Sequence, residues 1–337
     1  MKTVKRIVKL TAILLSMLII TGLVLSCQST GSTQSTGGVK RNSEATQAFE
    51  RGNAFYKKGA FKEAIAEFTK AIEIEPTWAE AFIMRGNSKV WGLDANLELG
   101  QEDYNRAAEI NPKFKDNAQA FKYFRENEYQ KAIETFNKVI QNKINLMNAY
   151  SDRGNSYSAL GEFKKAITDH TEAIKLYPDF YGNYVNRANA YNQTGQFDNA
   201  IKDCDRSINL FPENYFAYYV RGGAYKEEKN YSRALLDYNQ AIKLNPNSIM
   251  ALYHRAHCYY MLDNYQKAID DFTKGIEVHP TSEEIHFSWY WFRGDCYFIL
   301  NEYDKASADI DMVLKLDPGN ENALYVRGEI RAARAAQ

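Results

Sequence analysis

Proline and cysteine are sparse, and the charges cancel. Only seven prolines occur in 337 residues, and each stands at the end of a periodic segment, never inside one. Lysine plus arginine equals aspartate plus glutamate at 42 each, so no net field draws the chain to nucleic acid or to anionic lipid. The four cysteines, Cys27, Cys204, Cys258 and Cys296, show no framework of spacings, which points to buried thiols for the last three, oxidation of Cys258 with Cys296, at the same position in consecutive repeats, being the alternative. There is no glycine-rich phosphate loop and no nucleophile spaced from a base. His254 and His257 lie one turn apart, but no carboxylate or further histidine completes a zinc set beside them. These absences point away from an enzyme and leave no cofactor and no metal to expect. Hydrolysis dependent on a metal at His254 and His257 is the enzymatic alternative.

Long apolar runs are also missing, apart from one at the start. Lys2, Lys5, Arg6 and Lys9 precede an apolar stretch from Leu10 to Leu25, shorter than the roughly 20 residues a bilayer crossing takes. A basic start, a short apolar core and a small residue describe an export signal. Val24-Leu25-Ser26-Cys27 resembles a bacterial lipobox, which implies a signal peptide over 1–26, cleavage before Cys27 and lipid on its thiol. Each buried methylene of such a lipid contributes about 0.8 kcal/mol to membrane attachment. Gln28 in place of an aspartate resembles the outer-membrane address. Residues 27–44, rich in Ser, Thr and Gly, read as a flexible tether.

Beyond the tether the chain repeats itself. Pro178, Pro212, Pro246 and Pro280 are each 34 residues apart, and so are Gly52 and Gly86. The unit is plainest from Arg221 to Pro246, where Tyr218, Arg221, Gly222 and Tyr225 share one helical face. Ala234, Tyr238 and Ala241 recur at i, i+4, i+7 on a second helix. Asn245 stands before proline and is pushed out of helical geometry. A hairpin this small cannot bury its apolar face alone and needs neighbouring copies.

This pattern resembles the tetratricopeptide repeat family: a small residue, an aromatic three further on, an alanine–aromatic–alanine triplet and a closing proline. The resemblance implies an all-α fold, a right-handed α-α superhelix (solenoid) of about eight helical hairpins and a C-terminal capping helix. The units fall at 45–78, 79–112, 113–146, 147–180, 181–214, 215–248, 249–286 and 287–320, with the cap at 321–337. Gly59, Asn127, Gly161, Gly195 and Asn301 stand where a left-handed helix cap belongs. The second unit has a longer turn over 91–100, the third has Ala120 for glycine and no closing proline, and the seventh carries extra residues at 283–286. In the cap, Glu329, Arg331 and Arg334 make the far face polar.

One covariation within the chain has a physical reading. Arg51, Arg85, Arg153, Arg187, Arg221, Arg255 and Arg293 precede the small residue, and Glu67, Asp103, Asp169, Asp203, Asp237, Asp271 and Asp309 occupy the second helix. The unit with Gln119 in place of the arginine also has Thr135 in place of the acid. The matched loss predicts a partly buried ion pair inside each remaining hairpin, as in Arg153–Asp169, Arg187–Asp203, Arg221–Asp237 and Arg255–Asp271.

The free side of each first helix ought to be charged if it met only water. It carries aromatics instead in the first three and last three units, and polar residues such as Asn148, Ser151, Asn189 and Asn192 between them. In the family this side lines a concave groove for partner peptides. Asn53, Asn87, Asn155 and Asn189 share one register there, from which amides could bond an extended peptide backbone. Tyr219, Tyr253, His257, Tyr260, Trp291 and Phe298 complete the expected groove. Packing of these rings on one another is the alternative reading of about half of them. The family's clamp for chaperone tails needs lysines where Phe49 and Ile83 stand. The sequence reading is therefore a membrane-anchored, non-catalytic scaffold holding a protein or peptide partner, with no nucleic acid, exported to the periplasmic side of the outer membrane. The alternative is an accessory that docks a solute-binding protein beside a transporter.

Overall fold

The computed structural model describes residues 41–91, 97–144, 146–278 and 287–335. The signal over 1–26, Cys27 and the tether up to residue 40 lie outside the described residues, as do 92–96 of the second unit's long turn and residues 283–286, while Trp91 and 97–100, expected in that turn, are helical. Among the described residues there are seventeen α-helices and no strand. They alternate as first and second helices of hairpins, each packed chiefly on its neighbours in sequence.

The chain divides into two units at Pro212/Glu213. The first holds α1 (Ser43–Lys57), α2 (Phe61–Ile74), α3 (Ala79–Trp91), α4 (Leu97–Ile110), α5 (Lys115–Arg125), α6 (Tyr129–Gln141), α7 (Leu146–Ala159), α8 (Phe163–Leu176), α9 (Tyr181–Gln193) and α10 (Phe197–Leu210). The second holds α11 (Tyr215–Glu227), α12 (Tyr231–Leu244), α13 (Ile249–Met261), α14 (Tyr265–Val278), α15 (Phe287–Ile299), α16 (Tyr303–Leu316) and α17 (Glu321–Ala335). A short 3-10 turn, Pro112–Phe114, leads into α5.

Helix ends follow from local chemistry. Asn42 caps α1, its side chain accepting from the amides of Glu44 and Ala45, so the helix begins two residues inside the stretch expected to be tether. First helices close with a left-handed residue, at Gly59, Asn127, Gly161, Gly195 and Asn301 as their types require, and also at Lys229 and Asp263. In each case the next amide bonds back to the sixth residue, as Asn230 does to the Tyr225 carbonyl at 2.8 Å. That pairing satisfies carbonyls the helix end would otherwise leave open. Second helices stop before proline: Glu75, Tyr177, Phe211, Asn245 and Asp317 all adopt extended backbone there. The third unit has no proline and ends instead on a left-handed Lys143.

The small–large–small triplet of the second helix lies at the centre of the hairpin. Ala234, Tyr238 and Ala241 are fully buried, as are Ala64, Phe68 and Ala71. Such a large side chain contributes about 1.5–3 kcal/mol through its burial. It lies against the small residue of the first helix: a Cβ on Gly222 would come within 2.9 Å of the Tyr238 ring.

The first unit closes on itself. Tyr56 at the end of α1 stacks on Phe180, ring centroids 5.7 Å apart and nearly parallel. Lys57 lies over the Tyr177 ring at 5.2 Å, and Tyr181 meets Phe211 at 4.8 Å. The first hairpin thus touches the end of the fourth and, with Gly59 beside Phe211, the fifth, and one buried cluster runs from Ala45 to Tyr181.

Candidate functional site

The seven arginine–acid pairs are all present. Arg153 donates from Nε and Nη2 to the two oxygens of Asp169, both at 2.7 Å. Arg187–Asp203, Arg221–Asp237, Arg255–Asp271, Arg293–Asp309 and Arg85–Asp103 repeat that two-pronged geometry. Arg51 meets Glu67 from Nε at 2.9 Å. In the six aspartate pairs the acids are buried and the arginines about four-fifths so, whereas Arg51 and Glu67 are more open. Burial raises the pKa of Asp169 and of Asp203 against the opposing pull of their arginines.

Sequence reasoning missed the third arm of the same guanidinium. Nη1 reaches back to the preceding hairpin: Arg85 to Thr69, Arg153 to Asn137, Arg187 to Thr171, Arg255 to Asn239 and Arg293 to Thr273, at 2.6–3.4 Å. Each acceptor stands two residues after the acid position of its own helix, a polar residue recurring at a fixed place, which was a readable signal. One side chain therefore ties its hairpin together and to its neighbour. Where Gln119 replaces the arginine, Asn105 at the acceptor position is bonded by Gln101 instead.

The free side of the first helices differs between the units. In the first unit it is interior. Phe49, Ile83, Val90, Phe114, Phe121 and Phe124 are buried, and so are the polar Asn148, Ser151, Asn155, Ser158 and Asn189. Asn87, expected in the groove, is fully buried and accepts from the Tyr104 hydroxyl at 2.8 Å. Asn155, 1% exposed, accepts from Asn186 at 2.9 Å, and Ser151 donates to Asn183 at 2.7 Å. Only Asn53 of the four amides is half-buried. Asn87 and Asn155 thus bond the protein itself. His170 is sealed in as well. Burial, then the Arg187 charge, lowers its pKa to about 3, so the ring is neutral at ordinary pH.

In the second unit the same side stays half-open. Tyr219, Tyr253, His257, Tyr260, Trp291 and Phe298 are all half-buried. Several of the rings pack together: Tyr219 on Phe216 at 5.8 Å, Tyr253 on Phe292 at 6.4 Å, His257 on Phe292 at 5.1 Å and Tyr260 on Phe292 at 5.3 Å. The Tyr260 hydroxyl donates to Asp295 at 2.6 Å, fixing that ring. Trp291 and Phe298 lie against the cluster around Ile310. Met261 and Ile299, on the same side, are 43% and 42% exposed. The surface is thus a preorganised aromatic floor with apolar side chains at its margin and Lys226, His257 and Asp295 as its polar groups. Burial and the Lys226 charge lower the pKa of His254 and His257. His254 packs against both the Tyr219 and the Tyr238 rings. No trio of histidine, cysteine or acidic groups placed to hold a metal occurs among the described residues. Cys204, Cys258 and Cys296 are buried and form no disulfide among the described residues, and burial pushes Cys258 and Cys296 up to about 12.

Comparison with known proteins adds to this geometry. Tetratricopeptide repeat models match residues 52–89, 148–180 and 289–320, and a model described as anaphase-promoting complex, cyclosome, subunit 3 matches 193–274. No curated protein matches the chain. Among solved structures, that of the APC/C hetero-tetramer Cut9-Hcn1 is similar with a TM-score of 0.69 at 18% identity. The match covers 88% of this chain and 57% of that one, so this chain spans a little over half its length. YrrB, described as a TPR protein with an unusual peptide-binding site, is 21% identical over 58% of this chain and 99% of its own, with a TM-score of 0.47. A tetratricopeptide repeat protein from Parabacteroides merdae is 18% identical over 86% of this chain and 100% of its own, with a TM-score of 0.45. At these identities the likeness is one of fold.

Proposed function

From a chain that carries tetratricopeptide repeats, we propose a non-catalytic interaction scaffold whose second unit binds a segment of a partner protein on the free side of α11, α13 and α15. One observation carries the reading: Met261 and Ile299 are exposed beside six half-buried aromatic and histidine side chains, on a surface where solvated helices place charge. Aromatic anchors held rigid by their neighbours lose little entropy on binding. Lys226, His257 and Asp295 supply the polar contacts that orient a ligand. The N-terminal segment completes the proposal. The basic start, the apolar run and Cys27 support export and a lipid tether that keeps the scaffold at a bacterial membrane, on the periplasmic side of the outer one. The test is affinity capture of the tagged chain from crosslinked membranes, comparing wild type with Met261→Asp/Ile299→Asp. Both positions are exposed, so the double variant folds. Its captured partner falls at least ten-fold, and undiminished capture would refute the reading.

A further inference from the structure

One place on the free side of α11 has no side chain where the first unit has an amide. Asn53, Asn87, Asn155 and Asn189 each follow the small residue of their first helix. In the second unit that position holds Gly223 in α11, His257 in α13 and Asp295 in α15. The ring beneath shows what the missing amide does. Tyr104 and Tyr238 hold the same place in their hairpins, each 2.9 Å from where a Cβ on Gly86 or Gly222 would stand. The Tyr104 hydroxyl donates to the Asn87 amide at 2.8 Å. Tyr238 is fully buried and has only Gly223 at that place, and its hydroxyl has no hydrogen-bond partner among the described residues. Native interiors rarely leave such a group unbonded. Nδ1 of His257, on the next first helix, is buried and unbonded in the same way. Lys226 stands one turn after Gly223, and its charge acts on His254, His257 and Cys258. Its ammonium is about four-fifths buried and pairs at 2.6 Å with the exposed Glu227, the next residue in the chain.

We propose that the notch at Gly223 receives the side-chain carboxylate of an aspartate or glutamate in the partner's segment, with Lys226 and the Tyr238 hydroxyl as its donors. This rests on the reading of the surface as a docking site and adds the group it recognises. An ammonium, a hydroxyl and an imidazole N–H converge there, and a carboxylate, which only accepts, is their complement. The size agrees as well. In α3 the place is filled by the Asn87 amide, a planar group of the same shape as a carboxylate. In α15 it is filled by Asp295, whose carboxylate accepts from the Tyr260 hydroxyl at 2.6 Å. On binding, the incoming carboxylate takes Lys226 from Glu227, which is exposed and turns to water. Residues 1–40 contain no aspartate or glutamate, so the chain's own N-terminal segment does not supply the group. Rings continue from the notch along α11, at Phe216 and Tyr219, and across to Tyr253 and Phe292. Apolar residues therefore flank the acid on both sides, which fits an acid within a segment better than a chain end.

The probes are two fluorescent peptide mixtures, blocked at both ends, with mixed apolar flanks and either aspartate or asparagine at the centre. Each is titrated against the full-length chain in mild detergent and followed by anisotropy. Saturable binding is expected, at least ten-fold tighter for the aspartate mixture. Lys226→Met removes that preference. Tyr238→Phe weakens it several-fold and still folds, because Phe68, Phe136 and Phe272 hold the same buried place in their own hairpins. Gly223→Asn abolishes the preference and raises the melting midpoint, since its amide supplies the acceptor that Tyr238 lacks. Met261→Asp/Ile299→Asp weakens both mixtures alike, so the carboxylate subsite and the apolar surface fail separately. Equal affinity for the two mixtures, or no saturable binding of either, overturns the proposal. So does an asparagine mixture that regains the full affinity when its C-terminus is left free, because the group recognised would then be a chain end. A homodimer in sedimentation that Lys226→Met dissolves overturns it too, the occupant then being a second copy.

Discussion

At the scale of the residue, the arginine before the small position holds most of the repeat's polar chemistry. Arg255 is bonded by two prongs to Asp271 and by the third to Asn239 of the preceding hairpin. Taking either charge out of water is costly, so the pair fixes register more than it adds net stability. The asymmetry can be measured. Arg255→Ala strands a buried carboxylate and costs about 3 kcal/mol, whereas Arg255→Met with Asp271→Leu stays within about 1 kcal/mol of wild type. Urea denaturation of both variants decides it, and equal losses would show the pair to be solvated. The matched absence at Gln119 and Thr135 has the same cause, since either partner alone would be a buried unpaired charge.

At the scale of the element, each hairpin is set by three local devices: a left-handed turn residue, a small-on-large contact and an extended residue before proline. All three could be read from the sequence because each depends on residue types at fixed spacing within one unit. Lys229 and Asp263 escaped that reading. Aspartate tolerates the left-handed region through its short polar side chain, but nothing in the chemistry of lysine favours the φ of 59° that Lys229 adopts; the packing of the hairpin imposes it. A non-glycine residue in that region carries about 1–2 kcal/mol of strain, part of which glycine gives back as unfolded-chain entropy. Lys229→Gly is therefore expected to stabilise the protein by about 0.5–1 kcal/mol, seen as a higher denaturation midpoint with an unchanged slope. A lower midpoint would mean that the lysine side chain has a role its exposed position does not suggest.

At the scale of the whole molecule, the same repeat produces two outcomes. In the residues up to Pro212, most of the side of the first helices expected to bind peptide is buried, and Asn87 and Asn155 bond Tyr104 and Asn186. From Glu213 onward the equivalent side is a half-exposed aromatic surface. This difference was invisible in the sequence because no single repeat encodes it. Contact between Tyr56 and Phe180 depends on small rotations accumulated over four hairpins, to which periodicity is blind. Asn87 and Asn155 look the same in sequence whether they line a groove or a core.

The central claim is that the second unit presents its first-helix surface to a partner. Site-specific photocrosslinking tests it most directly, with benzoylphenylalanine placed singly at Met261, at Ile299 and, as a comparison, at Leu236, an apolar residue of α12 that is 70% exposed. The account predicts a discrete partner adduct from positions 261 and 299 and none from 236. Adducts of equal yield from all three positions, or from 236 alone, would contradict it.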